Sequence, residues 1–379
     1  MTVHLPGERE DSWPASAVII GTGLIGTSVA LALRAHGITV WLQDRNPESA
    51  WLAAGIGAGD LLPADGPPGG PADLVVLAVP PGAVAPELAA AKARRLARCY
   101  TDVASVKELP VARARELGCD LASYVPGHPL SGRERSGPAA ARADLFLGRA
   151  WVICPLPEND ASAVSLVTGL SRACGAEPVQ VGPAEHDQWV ALVSHAPHVV
   201  AAAMAARLEL AAPGALALAG QGLRDVTRIA AGDPAMWLQI LTANAGPASQ
   251  VLRQVAADLQ AAADALEGGP GPGELAGQDV AGKELAELLE RGRAGVGRIP
   301  GKRGGPARDF TLVQVIIPDR PGELARLFVA AGEAGINIED VGIEHSSGLP
   351  AGVAELWVRP EEVARLSAVL AAGGWPVRR

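Results

Sequence analysis

The sequence predicts an α/β chain in three parts: a doubly wound parallel sheet, an all-helical segment after it, and a small α+β sandwich at the end. Three observations carry that reading. Between Ala15 and Gly182 short, near-continuous apolar runs alternate with longer helical stretches. From about Pro183 to Arg293 no run reads as a strand. The last stretch, about 70 residues, returns to a strand–helix–strand–strand–helix order.

SAVII (Ser16 to Ile20), ITVWLQD (Ile38 to Asp44) and DLVVLAV (Asp73 to Val79) are β-branched runs without polar alternation. Strands covered by helices on both faces have this character, and their alternation with helical stretches implies a parallel sheet. Beyond Gly182 the helical segments are rich in Ala and Leu and break at Pro213-Gly214, at Gly232-Asp233-Pro234 and at Gly268 to Gly273. The segment from Arg291 to Arg308 holds six cations and no acid, a composition that cannot build a core and reads as a linker. After it, FTLVQVIIP (Phe310 to Pro318) is a strand, Gly322 to Gly335 a helix, INIEDVGIEH and GVAELWVRP strands, and Glu361 to Gly373 a helix. The expected boundaries are 1–14 for a flexible N-terminus, 15–182 for the sheet domain, 183–293 for the helices, 294–308 for the linker and 309–379 for the sandwich.

A chain of 379 residues is long enough for two or three cores. Hydrophobic residues make up 49% of it and charged residues 19%, and the mean hydropathy is +0.20. A membrane-spanning helix would need about 20 consecutive apolar residues, and no such run is expected. Val199 to Ala206 stops at Arg207 and follows His195, Pro197 and His198, while Leu210 to Leu223 contains Pro213 and Gly214. The start, MTVHLPGERED, lacks the basic and apolar regions of a signal peptide, so a cytoplasmic location is expected. Cys99, Cys119, Cys154 and Cys174 form no CxxC pair and read as reduced thiols. A net charge of -9 argues against a nucleic-acid partner and requires any anionic ligand to meet a local group of cations.

VIIGTGLIGTSVALALRAHG sets Gly21, Gly23 and Gly26 as GxGxxG after a strand and at the opening of a helix. This is the context of a Rossmann-type dinucleotide site. The first glycine allows the turn, the second a close approach of a pyrophosphate, and the third the packing of helix on strand. Asp44 follows at the end of the next strand, where a carboxylate receives ribose hydroxyls. Gly21, Gly23, Leu24, Ile25, Gly26, Asp44 and Arg45 are the candidate cofactor contacts. Asp44 would repel a 2′-phosphate, which favours NAD over NADP; Arg45 beside it could soften that preference.

Three of the seven histidines lie in unusual strings, GHPLSGRE (Gly127 to Glu134) and SHAPH (Ser194 to His198), with RDVTRIAAGDPAMW (Arg224 to Trp237) downstream. Singly each has an ordinary reading: a loop histidine, polar residues at a helix start, an arginine paired with Asp225. HxxH could suggest zinc, but no third ligand stands at a suitable spacing, so no metal is expected.

Together, TDVASVKE (Thr101 to Glu108), GHPLSGRERSG, HDQWVALVSHAPHVVA (His186 to Ala201) and RDVTRIAAGDPAMW resemble the bacterial prephenate/arogenate dehydrogenase family, over residues 16 to about 300. The C-terminal IIPDRPGELARLFVAAGEAGINIEDVGIEH is similar to ACT domains, amino-acid-sensing modules often attached to enzymes of amino-acid synthesis. The resemblance implies NAD-dependent oxidative decarboxylation of prephenate in tyrosine synthesis, with arogenate as the alternative substrate. It makes His128 the catalytic histidine and Arg228 the receiver of the ring carboxylate. Ser105, Glu134, Ser194, His195, His198 and Trp237 fall on positions around the substrate or the nicotinamide. Arg133 departs from the family pattern, where a small or polar residue is expected. The ACT resemblance implies an amino-acid effector, tyrosine, near Gly322, Asn337 and Ile338.

The chemistry suits these residue types. Aromatisation drives the reaction, so a neutral imidazole suffices to accept the hydroxyl proton, and a guanidinium holds a carboxylate in fixed geometry. A β-hydroxyacid dehydrogenase would leave GHPLSGRE and SHAPH without a purpose, and a non-catalytic NAD and amino-acid sensor would not need His128 with Arg228. The Ala-rich helices suggest a homodimer, with residues 183–293 as its dimerisation domain.

Overall fold

A computed structural model describes residues 13–131, 137–267, 280–299, 310–345 and 351–378. They group into two units, one running to Val255 and the other starting at Ala256. In the first, β1 (Ser16–Ile20), α1 (Leu24–Ala35), β2 (Thr39–Gln43), α2 (Pro47–Gly55), β3 (Asp60–Leu61), β4 (Ala72–Leu77), α3 (Pro81–Ala93) and β5 (Ala97–Asp102) follow in order. Their strands form a five-stranded sheet, β3-β2-β1-β4-β5. Every pair is parallel, with Ser16 opposite Thr39, Ala17 opposite Leu74, Trp41 opposite Asp60 and Ala72 opposite Ala97. β1 is central, and its alternate residues serve two cores: Ala17 and Ile19 pack with Val29 and Leu33 of α1, Val18 and Ile20 with Val84 and Leu88 of α3. Burial on both faces is why the run lacks polar alternation. The strand order reverses between β1 and β4, which opens a crevice at their carboxyl ends, where ligands bind in such sheets.

Beyond α4 (Glu108–Glu116), β6 (Gly127–Pro129), β7 (Ala150–Ile153), α5 (Ala161–Ala173) and β8 (Glu177–Gln180) complete the α/β part. They form a separate sheet, β6-β7-β8, in which β6 is antiparallel to β7 and β7 parallel to β8. The expected single parallel sheet is thus two. β5 pairs with the second segment through an isolated bridge of Tyr100 with Tyr124 and not through a ladder, and Pro126 and Pro129, which lack the ladder N–H, confine β6 to three residues.

α6 (Pro183–Val190), a π-helical turn (Ala191–His195) and α7 (Ala196–Ala206) follow as one helix. Pro183–Ala206 is 24 residues long and apolar enough, by length and composition, to cross a membrane. This corrects the expectation that no stretch reaches that length. Pro197 does not end the helix because the wide turn before it relieves the clash of a proline ring with the preceding turn. The helix buries His186, Asp187, His195 and His198 inside the unit. α8 (Pro213–Leu216), α9 (Gln221–Thr227), a 3₁₀ turn (Arg228–Ala231), α10 (Pro234–Ala243) and α11 (Ala245–Glu267) come next. The breaks read at Pro213 and Pro234 are helix starts, with the Asp233 side chain capping α10 at Ala235 N, 2.9 Å.

In the second unit α12 (Val280–Val296) pairs Arg291 with Asp258 of α11 at 2.9 Å, and it runs three residues past the expected end of the helices at 293. β9 (Thr311–Pro318), α13 (Glu323–Glu333), β10 (Asp340–His345), β11 (Ala351–Val358), α14 (Val363–Ala372) and β12 (Val377–Arg378) form a four-stranded antiparallel sheet, β10-β11-β9-β12, with two helices. Val313, Val315 and Ile317 of β9 alternate inward with Ala354, Leu356 and Val358 of β11, against Leu327 of α13 and Leu366 and Leu370 of α14.

Candidate active site

The glycine turn after β1 is built for close approach. Gly21 has φ +97°, and a Cβ there would lie 2.2 Å from the Ala78 carbonyl oxygen. At Gly26 a Cβ would lie 2.0 Å from the Gly21 oxygen, so only glycine lets α1 sit on the turn. Gly23 faces open space with nothing within 4 Å, in front of the unpaired N–H groups of the first turn of α1. Asp44 closes the other side: its Oδ2 accepts from Thr22 N (2.6 Å) and Thr22 Oγ1 (2.9 Å), and its Oδ1 from Asn46 N (2.8 Å). Leu24 and Ile25 pack partly against the core, and Arg45 is exposed. An open glycine, anion-facing amides and a fixed carboxylate at the next strand end fit a dinucleotide.

His128 is the middle residue of β6. Gly127 before it is closely enclosed: a Cβ would lie 3.0 Å from Trp151 Nε1 and 3.1 Å from the Asp102 carbonyl oxygen, so these neighbours would have to give way for a larger residue. Beneath it, the wholly buried Lys107 donates to Asp102 Oδ1 and to the Gly127 carbonyl. Asp102 also accepts from the Tyr124 hydroxyl (2.7 Å) and from Ala104 N (2.9 Å). This buried ion pair ties the end of β5 to β6, and it brackets Ser105 in the loop between its two members.

The His128 ring is held by the helix that follows β8. His128 Nδ1 lies 2.9 Å from His186 Nε2, and His186 Nδ1 lies 2.7 Å from Asp187 Oδ1. Asp187 also accepts the backbone N–H groups of Lys107 (2.8 Å) and Glu108 (2.9 Å), which are unpaired at the start of α4. One carboxylate therefore caps α4 and anchors the histidine pair. Asn244 completes the group, its Nδ2 2.8 Å from the Asp187 carbonyl oxygen and 3.0 Å from His195 Nδ1. Burial holds the His128 pKa well below the usual histidine value, and His186, Lys107 and His195 push the same way. Burial pulls His195 down to about 4, against the opposing charge of Asp187. His198 is lowered by burial as well.

His195, the last residue of the π-helical turn, and His198 in α7 stand three residues apart on the continuous helix and share a face. Trp237 of α10 stacks on His198, with centroids 3.6 Å apart and planes at 11°, and meets His195 edge-on at 6.3 Å. A Cβ on Gly232 would lie 2.5 Å from Trp237 Nε1, which accounts for the glycine before Asp233. Arg228 opens the 3₁₀ turn packed on α7; it is exposed and makes no ion pair among the described residues. Ser194 is exposed on the π-helical turn. Glu134 and Arg133 lie outside the described residues. Cys99 and Cys154 are pushed up to about 12 by burial and are inert as nucleophiles at neutral pH.

His128 and His195 thus come together through one buried network, with His198 and Trp237 beside His195. Sequence reasoning missed the members that connect them: His186, Asp187, Asn244, Lys107 and Asp102. The one available signal was the His-Asp pair in HDQWV.

In the second unit a cleft of about 400 Å³ lies between the end of β9 and the start of α13, lined by Ile317 to Leu324, Ile343 and Gly352. Gly322 lines it. Asn337 and Ile338 follow the far end of α13 and do not: Asn337 is exposed and donates to Glu339 Oε1 (2.6 Å), and Ile338 packs against the sheet core.

Comparison with known proteins agrees with the layout of the first unit. The model of the prephenate dehydrogenase nucleotide-binding domain matches residues 29–180, and that of the prephenate dehydrogenase dimerization domain matches residues 182–280. The chain is 40% identical over 364 residues to the probable prephenate dehydrogenase NovF of Streptomyces niveus, covering 95% of this chain and 99% of that one. It is 32% identical over 254 residues to the cyclohexadienyl dehydrogenase of Zymomonas mobilis, covering 64% of this chain and 85% of that one. Among solved structures, the prephenate dehydrogenase of Aquifex aeolicus in complex with hydroxyphenyl propionate and NAD+ superposes with a TM-score of 0.63 at 26% identity, over 74% of this chain and 96% of that one. With a relative matched over almost its whole length and the glycine turn and the histidine network in place, the chain belongs to the prephenate dehydrogenase family and is a dehydrogenase.

Proposed function

We propose that the protein is an NAD-dependent prephenate dehydrogenase, which converts prephenate to 4-hydroxyphenylpyruvate and carbon dioxide. The observation that carries this reading is His128, a half-buried imidazole linked to the buried His186–Asp187 pair, with its pKa held below the usual range, on a chain that also presents a dinucleotide cradle. Gly21, Gly23, Leu24, Ile25, Gly26 and Asp44 hold the cofactor; Asp44 accepts ribose hydroxyls and disfavours a 2′-phosphate. When bound, NAD supplies the hydride acceptor.

His128 takes the ring hydroxyl proton as that carbon becomes a carbonyl. As carbon dioxide leaves the opposite ring carbon, the electrons of the breaking bond pass through the ring to the same oxygen, which His128 reprotonates to give the phenol. No net proton is consumed, and a weakly basic imidazole suits both transfers. Arg228 receives the ring carboxylate bidentately. His195, His198, Ser105, Ser194, Glu134 and Trp237 surround the substrate, with the Trp237–His198 stack forming a wall. Positioning contributes a large part of the rate, since hydride transfer needs close approach.

The enzyme works as a cytoplasmic homodimer through its helical segment. The C-terminal unit acts as an ACT domain that binds tyrosine in the cleft at Gly322 and lowers activity. The support for this is the strand and helix order and the amide-rich start of α13 beside the cleft. The test is an assay of the full chain with prephenate or arogenate against NAD or NADP, with and without tyrosine. Turnover of prephenate with NAD, reduced by tyrosine, is expected; turnover of arogenate alone would move the assignment to that substrate, and no turnover of either would overturn it.

A further inference from the structure

We infer that Asp187 and Asn244 are positioning residues that fix His128 and His195 in opposite tautomers, so that His128 accepts a proton at Nε2 while His195 donates one from Nε2. The inference rests on the reading of His128 as the proton acceptor and extends it to what sets that role.

The assignment follows from groups that can act in only one way. A carboxylate accepts, so His186 Nδ1, 2.7 Å from Asp187 Oδ1, carries a hydrogen. With its one ring hydrogen on Nδ1, His186 has its lone pair on Nε2. That atom lies 2.9 Å from His128 Nδ1, so His128 is protonated at Nδ1 and its Nε2 lone pair is free. At His195 the logic runs from a carbonyl. The Asp187 carbonyl oxygen accepts, so the Asn244 atom facing it at 2.8 Å is the amide NH₂. The same NH₂ lies 3.0 Å from His195 Nδ1, which must accept, and the His195 hydrogen is on Nε2.

Asp187 therefore governs both rings, through its carboxylate on one side and its carbonyl on the other. His186, Lys107 and His195 face His128, and Asp187 and His186 face His195. All are buried. The result is an uncharged acceptor and an uncharged donor in one site, a pairing that sequence position alone would not distinguish.

The test reads tautomers directly, from the imidazole nitrogen chemical shifts of the full chain carrying isotope-labelled histidine near neutral pH, with His128→Gln and His195→Gln used only to assign signals. Opposite tautomers, Nδ1–H for His128 and Nε2–H for His195, are expected; the same tautomer at both, or an imidazolium at either, would overturn the inference. Asp187→Ala removes the carboxylate that keeps the hydrogen on His186 Nδ1, so the His128 hydrogen is no longer confined to Nδ1 and its ring nitrogen shifts should move towards the Nε2–H form. It should lower kcat roughly 10²-fold or more, with little change in KM. A folded Asp187→Ala chain that keeps the His128 shifts and its kcat contradicts the role of Asp187; if it does not fold, the unmodified chain decides. Asn244→Asp offers only acceptors and should move the His195 hydrogen to Nδ1, and unchanged His195 shifts in that variant contradict the role of Asn244. An inactive chain with opposite tautomers would sink the proposed reaction but leave this assignment standing.

Discussion

His128 and His186, 58 residues apart in sequence, meet with Nδ1 and Nε2 2.9 Å from each other. The contact exists because Asp187 accepts the first N–H groups of α4 and so draws the start of α6 against the loop that follows β5. One end of the pair is thus fixed by a helix cap, and the other is the ring on β6.

If His128 carries the proton, His128→Asn should lower kcat by roughly 10²-fold or more while KM changes little, because general-base contributions run about 10²–10⁴-fold. Steady-state kinetics with prephenate and NAD measure it. A variant that keeps kcat would remove His128 from the chemistry.

The acid limb of kcat/KM should fall well below the usual histidine pKa of about 6.5, since burial holds His128 neutral there. Stability follows the same sign at His195. Its folded pKa, about 4, lies below the unfolded value, so on acidification the unfolded chain takes up the proton first. The contribution of His195 to stability is present above pH of about 6.5 and is lost as the pH falls towards 4. Urea midpoints across that window should drop, and His195→Gln should flatten the drop.

Arg228→Gln should raise KM for prephenate roughly 10-fold to 100-fold, the range expected when a charge-assisted hydrogen bond worth about 1.5–3 kcal/mol is lost. The effect on kcat should be smaller. An unchanged KM would place the ring carboxylate elsewhere.

Asp44→Ala should weaken NAD binding and reduce the preference for NAD over NADP by about tenfold or more, since it removes both a ribose acceptor and a charge that repels a 2′-phosphate. Binding titrations with each cofactor, read without turnover, measure the ratio. Equal losses for both would show that Asp44 only fixes Thr22 and Asn46.

Much of this was legible in the chain itself. β1, β2 and β4 announce themselves as apolar runs, Gly21 and Gly26 sit where a Cβ has no room, and the βαββα(β) order of the second unit follows from alternation such as Val313, Val315 and Ile317. The hidden parts are those made by long-range contact. His186 looks like an ordinary first-turn residue until the fold sets it against β6. Nothing in the sequence around Lys107 marks it as buried; Asp102 and the Gly127 carbonyl enclose it only in the fold. Pro197 reads as a break because a π-helical turn leaves no mark on periodicity, which is how the length of Pro183–Ala206 was underestimated.

The most direct measurement follows reduced NAD and carbon dioxide together in one reaction of the purified chain with prephenate. Equal amounts of both, with 4-hydroxyphenylpyruvate as the product and loss of both in His128→Asn, are the expected result. Reduced NAD without carbon dioxide, or neither from either cyclohexadienol, would contradict oxidative decarboxylation at this site.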